Sequence, residues 1–97
     1  MKILITAATS ANAYKFKAGL NEQDIVLGDY GDIPAFTKML KLPNPGKETY
    51  AHEMLTLSLD NAIDRIYLLD GKEWDILQHS KQLFSEYNIE LIDGNNL

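Results

Sequence analysis

The 97-residue sequence predicts an α/β domain of three layers, α/β/α, around a five-stranded parallel sheet with strand order 3-2-1-4-5. Three observations carry that expectation. Short, mostly apolar runs recur along the chain, and runs of this length suit parallel strands buried on both faces. Between them lie stretches with an apolar residue every three or four positions, the mark of helices laid on a sheet. The resulting alternation, joined by right-handed crossovers, puts the reversal of winding between strands one and four. Open sheets bind ligands there, at the carboxyl ends of the strands.

Ile3–Ile5 is the first strand, and Thr6 to Ser10 form the turn that follows it. A helix is predicted from Ser10 to Leu20, with Ala13, Phe16 and Leu20 inward, Thr9 or Ser10 as N-cap and Asn21 closing its end. Asp24–Gly28 is the second strand, leading into the turn Asp29-Tyr30-Gly31-Asp32, and Pro34 opens a short helical turn. Met39–Leu42 alternates like a half-exposed edge strand and stops at the loop Pro43-Asn44-Pro45-Gly46. The second long helix runs from Glu48 to Ile63 with Ala51, Met54, Leu55, Leu59 and Ala62 inward. Arg65–Leu69 is the fourth strand. The third long helix spans Lys72–Tyr87, its inner face made of Ile76, Leu77, Ser80, Leu83, Phe84 and Tyr87. Ile89–Ile92 is the last strand, and Asp93–Leu97 a polar tail.

Composition narrows the function classes. The length fits a single domain over residues 1–97, and 45% hydrophobic with 24% charged residues is globular. There are no cysteines, so disulfides and thiolate metal sites are excluded. Lys2 is followed by only a short apolar run, too short for a secretory signal or a span of about 20 apolar residues, so a cytoplasmic setting is expected. The net charge is −5 and falls almost wholly in the second half of the chain. With Arg65 the one arginine, neither a nucleic acid nor an anionic membrane is an expected partner.

The candidate site residues sit at the strand ends. Ala7, Ser10 and Ala13 hold the places where a dinucleotide-binding turn often carries glycine, which lets a pyrophosphate approach the backbone. A Cβ at each contact opposes that approach, and small residues also serve strand–helix packing, the reading preferred here. Asp29 ends strand two, where dinucleotide folds place an acid on the ribose hydroxyls, but without a glycine turn the reading preferred here is an acidic turn residue beside Gly28 and Gly31. Asp70 and Glu73 offer two carboxylates for a cation or an amine, but D-x-x-E also reads as a capping box, which is preferred. His52 and His79 lie on different helices without other ligands at metal spacing, so no metal is expected. No G-x-S-x-G, H-E-x-x-H or Walker pattern occurs. Tyr14 and Tyr50 are followed four positions on by Ala18 and Met54, so no Tyr-x-x-x-Lys pair supports a dehydrogenase.

In the order of its segments the chain resembles the N-terminal, Rossmann-like domain that precedes the catalytic domains of ATP-grasp ligases, notably the carbamoyl-phosphate synthase large-subunit-like members. The residues that carry the resemblance are K-I-L-I-T-A-A at the start, V-L-G-D-Y at strand two, M-L-K-L-P at strand three, D-R-I-Y-L-L-D at strand four and Y-N-I-E-L-I at strand five. What the resemblance implies is a domain that shapes the substrate side of a cleft, while the ATP site and metal-binding acids belong to domains that follow it. The matching positions are Thr6, Ala7, Ala8, Thr9 and Ser10, with Asp29, Tyr30 and Asp70. The expectation is a non-catalytic, stand-alone domain without a cofactor, binding a small polar ligand or a partner protein. The alternatives are a fragment or subunit of an ATP-grasp ligase, with an ATP-grasp protein as partner, and a degenerate dinucleotide-binding module. Strand five, with only Glu90 to guard its free edge, suggests a homodimer.

Overall fold

The structure is a computed structural model describing residues 1–9, 11–20, 24–31, 33 and 38–94. The strands are β1 (Ile3–Ile5), β2 (Ile25–Asp29), β3 (Leu40–Lys41), β4 (Arg65–Leu68) and β5 (Glu90–Asp93). They form one parallel five-stranded sheet in the order β3-β2-β1-β4-β5, as the sequence predicts. The helices are α1 (Ala11–Ala18), α2 (Tyr50–Asp60), α3 (Gly71–Leu77) and α4 (Lys81–Glu86), the last two joined by a 3-10 turn, Gln78–Ser80.

Residues of β1 alternate between two cores, because successive side chains of a strand point to opposite faces. Leu4 joins Ile66, Leu68, Leu91 and the helical residues Tyr50, Met54, Leu55, Leu77 and Phe84. Ile3 and Ile5 face the other way, onto Ala13 and Tyr67, with Phe16 and Leu20 of the α1 segment packed alongside. Helix α1 thus covers one face of the sheet, and α2, α3 and α4 cover the other. The whole of β1 is excluded from water, so it is the axis about which the chain winds in both directions.

Close packing explains the one glycine inside a strand. Gly28 is paired with Leu40, and a Cβ there would meet Leu42 Cδ2 at 2.9 Å and the Leu40 carbonyl at 3.1 Å. Strand β3 therefore lies against β2 only because position 28 has no side chain. It is also shorter than the four residues expected, since only Leu40 and Lys41 make the ladder; Leu42 continues with a single bond from its N–H to the Asp29 carbonyl (2.9 Å).

The helices depart from expectation in phase. The buried stripe of α2 is Tyr50, Met54, Leu55 and Ser58, because Tyr50 and not Ala51 anchors it; Leu59 is consequently exposed and Ala62 lies beyond the helix. The long helix expected over 72–87 is interrupted by the tighter 3-10 turn, which changes the phase between its halves. Glu73, Leu77 and Phe84 face the sheet, while Leu83 and Tyr87, expected inward, are exposed. The expected cap at Asn21 and the helical turn from Pro34 to Thr37 lie outside the described residues.

Both α2 and α4 stop in the same way. Ala62 and Asn88 have φ of 54° and 61°. Ala62 N–H donates to the Leu59 carbonyl (3.2 Å) and Ile63 N–H to Ser58 (2.8 Å); Asn88 N–H donates to Ser85 (3.0 Å) and Ile89 N–H to Phe84 (3.0 Å). These are Schellman stops, in which a left-handed residue turns the chain and the next apolar residue returns to the core, here Ile63 and Ile89. Asparagine tolerates that conformation better than alanine. Ala62→Gly is expected to raise stability by about 0.5–1 kcal/mol in urea denaturation, whereas the same change at Asn88 should gain less.

Candidate functional site

The turn after β1, the end of β2 and the end of β4 meet at one edge of the sheet, where the winding reverses. Thr6 is fully buried at the end of β1; its N–H donates to the Tyr67 carbonyl (3.1 Å) and its hydroxyl accepts the Leu69 N–H (3.1 Å). Ala7 then takes a left-handed φ of 52°, which swings the chain toward β2. Left-handed backbone costs an alanine on the order of 1 kcal/mol, and such strain concentrates at ligand sites. Ala8 is buried, and its N–H donates to the Gly28 carbonyl (3.0 Å).

Asp29 closes this turn. One oxygen of its carboxylate accepts both the N–H (3.0 Å) and the hydroxyl (2.7 Å) of Thr9, and the other accepts the Gly31 N–H (2.8 Å). Burial pushes the Asp29 carboxyl up, but the Thr9 hydroxyl, the Gly31 and Thr9 N–H groups and the charge of Lys41 outweigh it and hold it below the usual carboxylate range. Lys41 itself donates to the carbonyls of Tyr30 (3.0 Å) and Gly31 (2.6 Å). An anion-cradling turn needs free N–H groups. Here those of Thr6, Ala8 and Thr9 are bonded to acceptors of the chain, one of them a carboxylate.

Two tyrosine–carboxyl pairs complete the edge. The Tyr30 hydroxyl donates to Asp70 (2.6 Å), a contact that reaches from β2 to β4 across the end of β1 and pushes the phenol up to about 12. The other oxygen of Asp70 accepts the Lys72 N–H (2.9 Å), so Asp70 is the N-cap of α3. The expected reciprocal half of the capping box does not form. Glu73 turns inward instead and is fully buried, its carboxyl accepting the Tyr50 hydroxyl from α2 at 2.7 Å. Burial pushes the Tyr50 phenol up, and Glu73 beside it adds to the effect.

The second oxygen of Glu73, Oε1, is also buried and makes no hydrogen bond of good geometry, although the Thr6 hydroxyl is close enough to act on the carboxyl as a donor. Burial raises this carboxyl; the Tyr50 hydroxyl lowers it, Asp70 raises it, the nearby Thr6 hydroxyl lowers it, and Asp29 raises it, leaving it at about 7.

The structure therefore brings Thr6, Ala7, Ala8, Thr9, Asp29, Tyr30 and Asp70 to one edge; Ser10 lies outside the described residues. Sequence reasoning weighed Glu73 as a carboxylate for a cation or an amine but preferred it as half of a capping box, and it missed Tyr50 as a member of the site. The available signal was spacing: Glu73 precedes the buried Leu77 by four positions, which puts both on one helix face. A separate open cleft of about 790 Å³ lies between α2 and residues 41–47, lined by Lys41, Asn44, Lys47, His52, Thr56 and Asn61. It shares Tyr30 and Lys41 with the edge but none of its acids except through them. Among the described residues no three His, Cys, Asp or Glu side chains gather to hold a metal ion. Nor is any helix among them long and apolar enough to cross a membrane.

Neither a protein-family model nor a curated protein sequence matches the chain.

Because the folded protein holds the Glu73 proton up to about pH 7 and the unfolded chain releases it near the ordinary 4.5, the contribution of Glu73 to stability is full at low pH. It is lost as the pH rises between those values, on the order of 3 kcal/mol at full ionisation. Urea denaturation at steps from pH 5 to pH 8 is expected to show that decline, and Glu73→Gln to flatten it and to exceed the parent protein in stability at pH 8.

Proposed function

We propose that this chain is a non-catalytic α/β module, similar to the Rossmann-like domain that precedes ATP-grasp domains, which binds a small polar ligand or a partner protein at the carboxyl edge of its sheet. The observation that carries the reading is the internal anion of the first turn. With Asp29 accepting the Thr9 and Gly31 donors, a phosphate would meet a carboxylate where a nucleotide-binding turn offers N–H groups. Asp70 adds a carboxyl to the same edge, and Lys41 is turned to carbonyls. That balance favours a ligand bearing hydrogen-bond donors or positive charge.

A second reading has one observation in its favour. Tyr30 and Asp70, bonded to each other across the end of β1, are only half-buried. Such a surface suits a module whose cleft is completed by another domain, as in an ATP-grasp ligase where the ATP-binding parts are supplied elsewhere.

Calorimetric titration of the chain with ATP and with NAD-type dinucleotides separates binding modules of the two kinds. The expected result is no association tighter than about millimolar. Nanomolar affinity for either nucleotide would overturn the reading.

A further inference from the structure

We infer that the first turn of α3 is a latch: the neutral acid of Glu73 holds it shut against α2 and β1, and ionisation of that carboxyl releases it. The inference stands whether or not the edge takes a ligand, since it concerns how the edge itself is held.

The turn has few other holds. Gly71, its first residue, carries no side chain, and nothing lies within 4 Å of where a Cβ would stand. Lys72 and Asp75 are exposed, and Trp74 lies half-buried on the core. Two acids complete the fastening. Glu73 is fully buried and accepts the Tyr50 hydroxyl at the start of α2 (2.7 Å), while the Thr6 hydroxyl at the end of β1 acts on the same carboxyl as a donor. Asp70 accepts the Tyr30 hydroxyl from the end of β2 (2.6 Å). One turn further on, Leu77 is fully buried in the core. The body of α3 is thus seated by an apolar side chain, and its first turn chiefly by carboxyl groups.

A carboxyl in this position favours its neutral form. Taking a carboxylate out of water is costly unless a cation or several donors replace the water. The titratable groups acting around Glu73 are Tyr50 of α2, Asp29 and Tyr30 of the β2 end, and Asp70 of its own segment. Strands β4 and β5, which also pack on α3, carry Arg65, Tyr67, Glu90 and Asp93, and Arg65 is bonded to Glu90. Lys41 of β3 is turned to the carbonyls of Tyr30 and Gly31. No lysine or arginine bonds to Glu73 or Asp70 among the described residues.

On ionisation the charge has two hydroxyl donors against two neighbouring acids, and an outward swing of the first turn gives it water instead. Gly71 is the pivot, because its backbone turns freely and no side-chain packing is lost there. Release gives up the Tyr50 bond and leaves the Tyr30–Asp70 bond as the tie between this turn and the sheet. A proton bound more tightly in the closed form favours closure below the titration and opening above it. The latch is therefore shut below about pH 7 and released above it.

The chain carries its own reporter, since Trp74 is its single tryptophan and adjoins Glu73. The experiment is a titration from pH 4 to pH 9 of Trp74 emission, its quenching by acrylamide and far-UV circular dichroism, with the Glu73 side-chain carboxyl followed by carbon-13 NMR. The expected result is one step in emission and quenching that shares the midpoint of the Glu73 carboxyl, near 7, with stronger quenching at high pH and constant dichroism. Glu73→Gln should abolish the step and keep Trp74 in its low-pH state throughout. Tyr50→Phe removes a donor that lowers the carboxyl and should move the midpoint up; Asp70→Asn removes a charge that raises it and should move the midpoint down. These two variants read the latch if Glu73→Gln does not fold. Histidine side chains change charge in the same range; His52 and His79 are both exposed, and a step from either would survive in Glu73→Gln. Persistence of the step in that variant, constant Trp74 emission while Glu73 ionises, a Glu73 midpoint near the ordinary 4.5, or dichroism lost in parallel with emission would each overturn the inference.

Discussion

The carboxylate of Asp29 holds the carboxyl edge of the sheet in its present form. It accepts two bonds from Thr9 and one from Gly31, so it ties the turn after β1 to the turn after β2 at the place where the winding reverses. The chain needs such a tie because β1 contributes only three residues to the ladder and the turn that leaves it passes through a strained alanine. An anion from solution could satisfy the same N–H groups in a glycine-rich turn. A covalently attached carboxylate does so at all times and without loss of a ligand's translational entropy, so the donors are no longer available to a phosphate.

That one substitution of an internal for an external anion changes what the rest of the edge can do. Asp70 is held by the Lys72 N–H and the Tyr30 hydroxyl, both neutral donors, and Glu73 by the Tyr50 hydroxyl. None of these bonds neutralises the charge that it stabilises. The edge thus carries carboxyl groups in excess of cations, and it relieves the excess by protonating the most deeply buried of them. The proton on Glu73 is a consequence of burial first and of the Asp70 and Asp29 charges beside it.

The topology was legible in the sequence because it rests on apolar runs and their order. Ile3–Ile5 and Ile66–Leu68 are buried on both faces, so they announce themselves as central strands without reference to any partner. Phase was harder. Tyr50 and Glu73 are amphipathic or charged residues at inward positions, and each is inward because of the other; no pattern of hydrophobicity marks a pair separated by 23 residues. Leu83 and Tyr87 went the opposite way, since the 3-10 turn at Gln78–Ser80 has no local sequence signature strong enough to shift a helical period. The strand-end positions Thr6, Asp29 and Asp70 were legible as a group, because topology alone brings the ends of β1, β2 and β4 together. Their bonding was not, because whether Asp29 faces a ribose or its own turn depends on side-chain direction.

The burial of Glu73 also separates two explanations for an acid in a core. If the carboxyl served packing alone, a glutamine or a methionine at position 73 would fill the same volume beside Leu77 without an ionisable group, and buried charges are commonly matched or bettered by such replacements. A purely structural hydrogen bond to Tyr50 would occupy one oxygen and could be met by the amide oxygen of glutamine. What only the carboxyl provides is a group that gains a full charge near neutral pH, acted on by the Tyr50 and Thr6 hydroxyls and by the Asp70 charge. Its proton affinity is the balance of burial and the Asp70 and Asp29 charges, which raise it, against the Tyr50 and Thr6 hydroxyls, which lower it, and the balance falls on the side of the neutral acid.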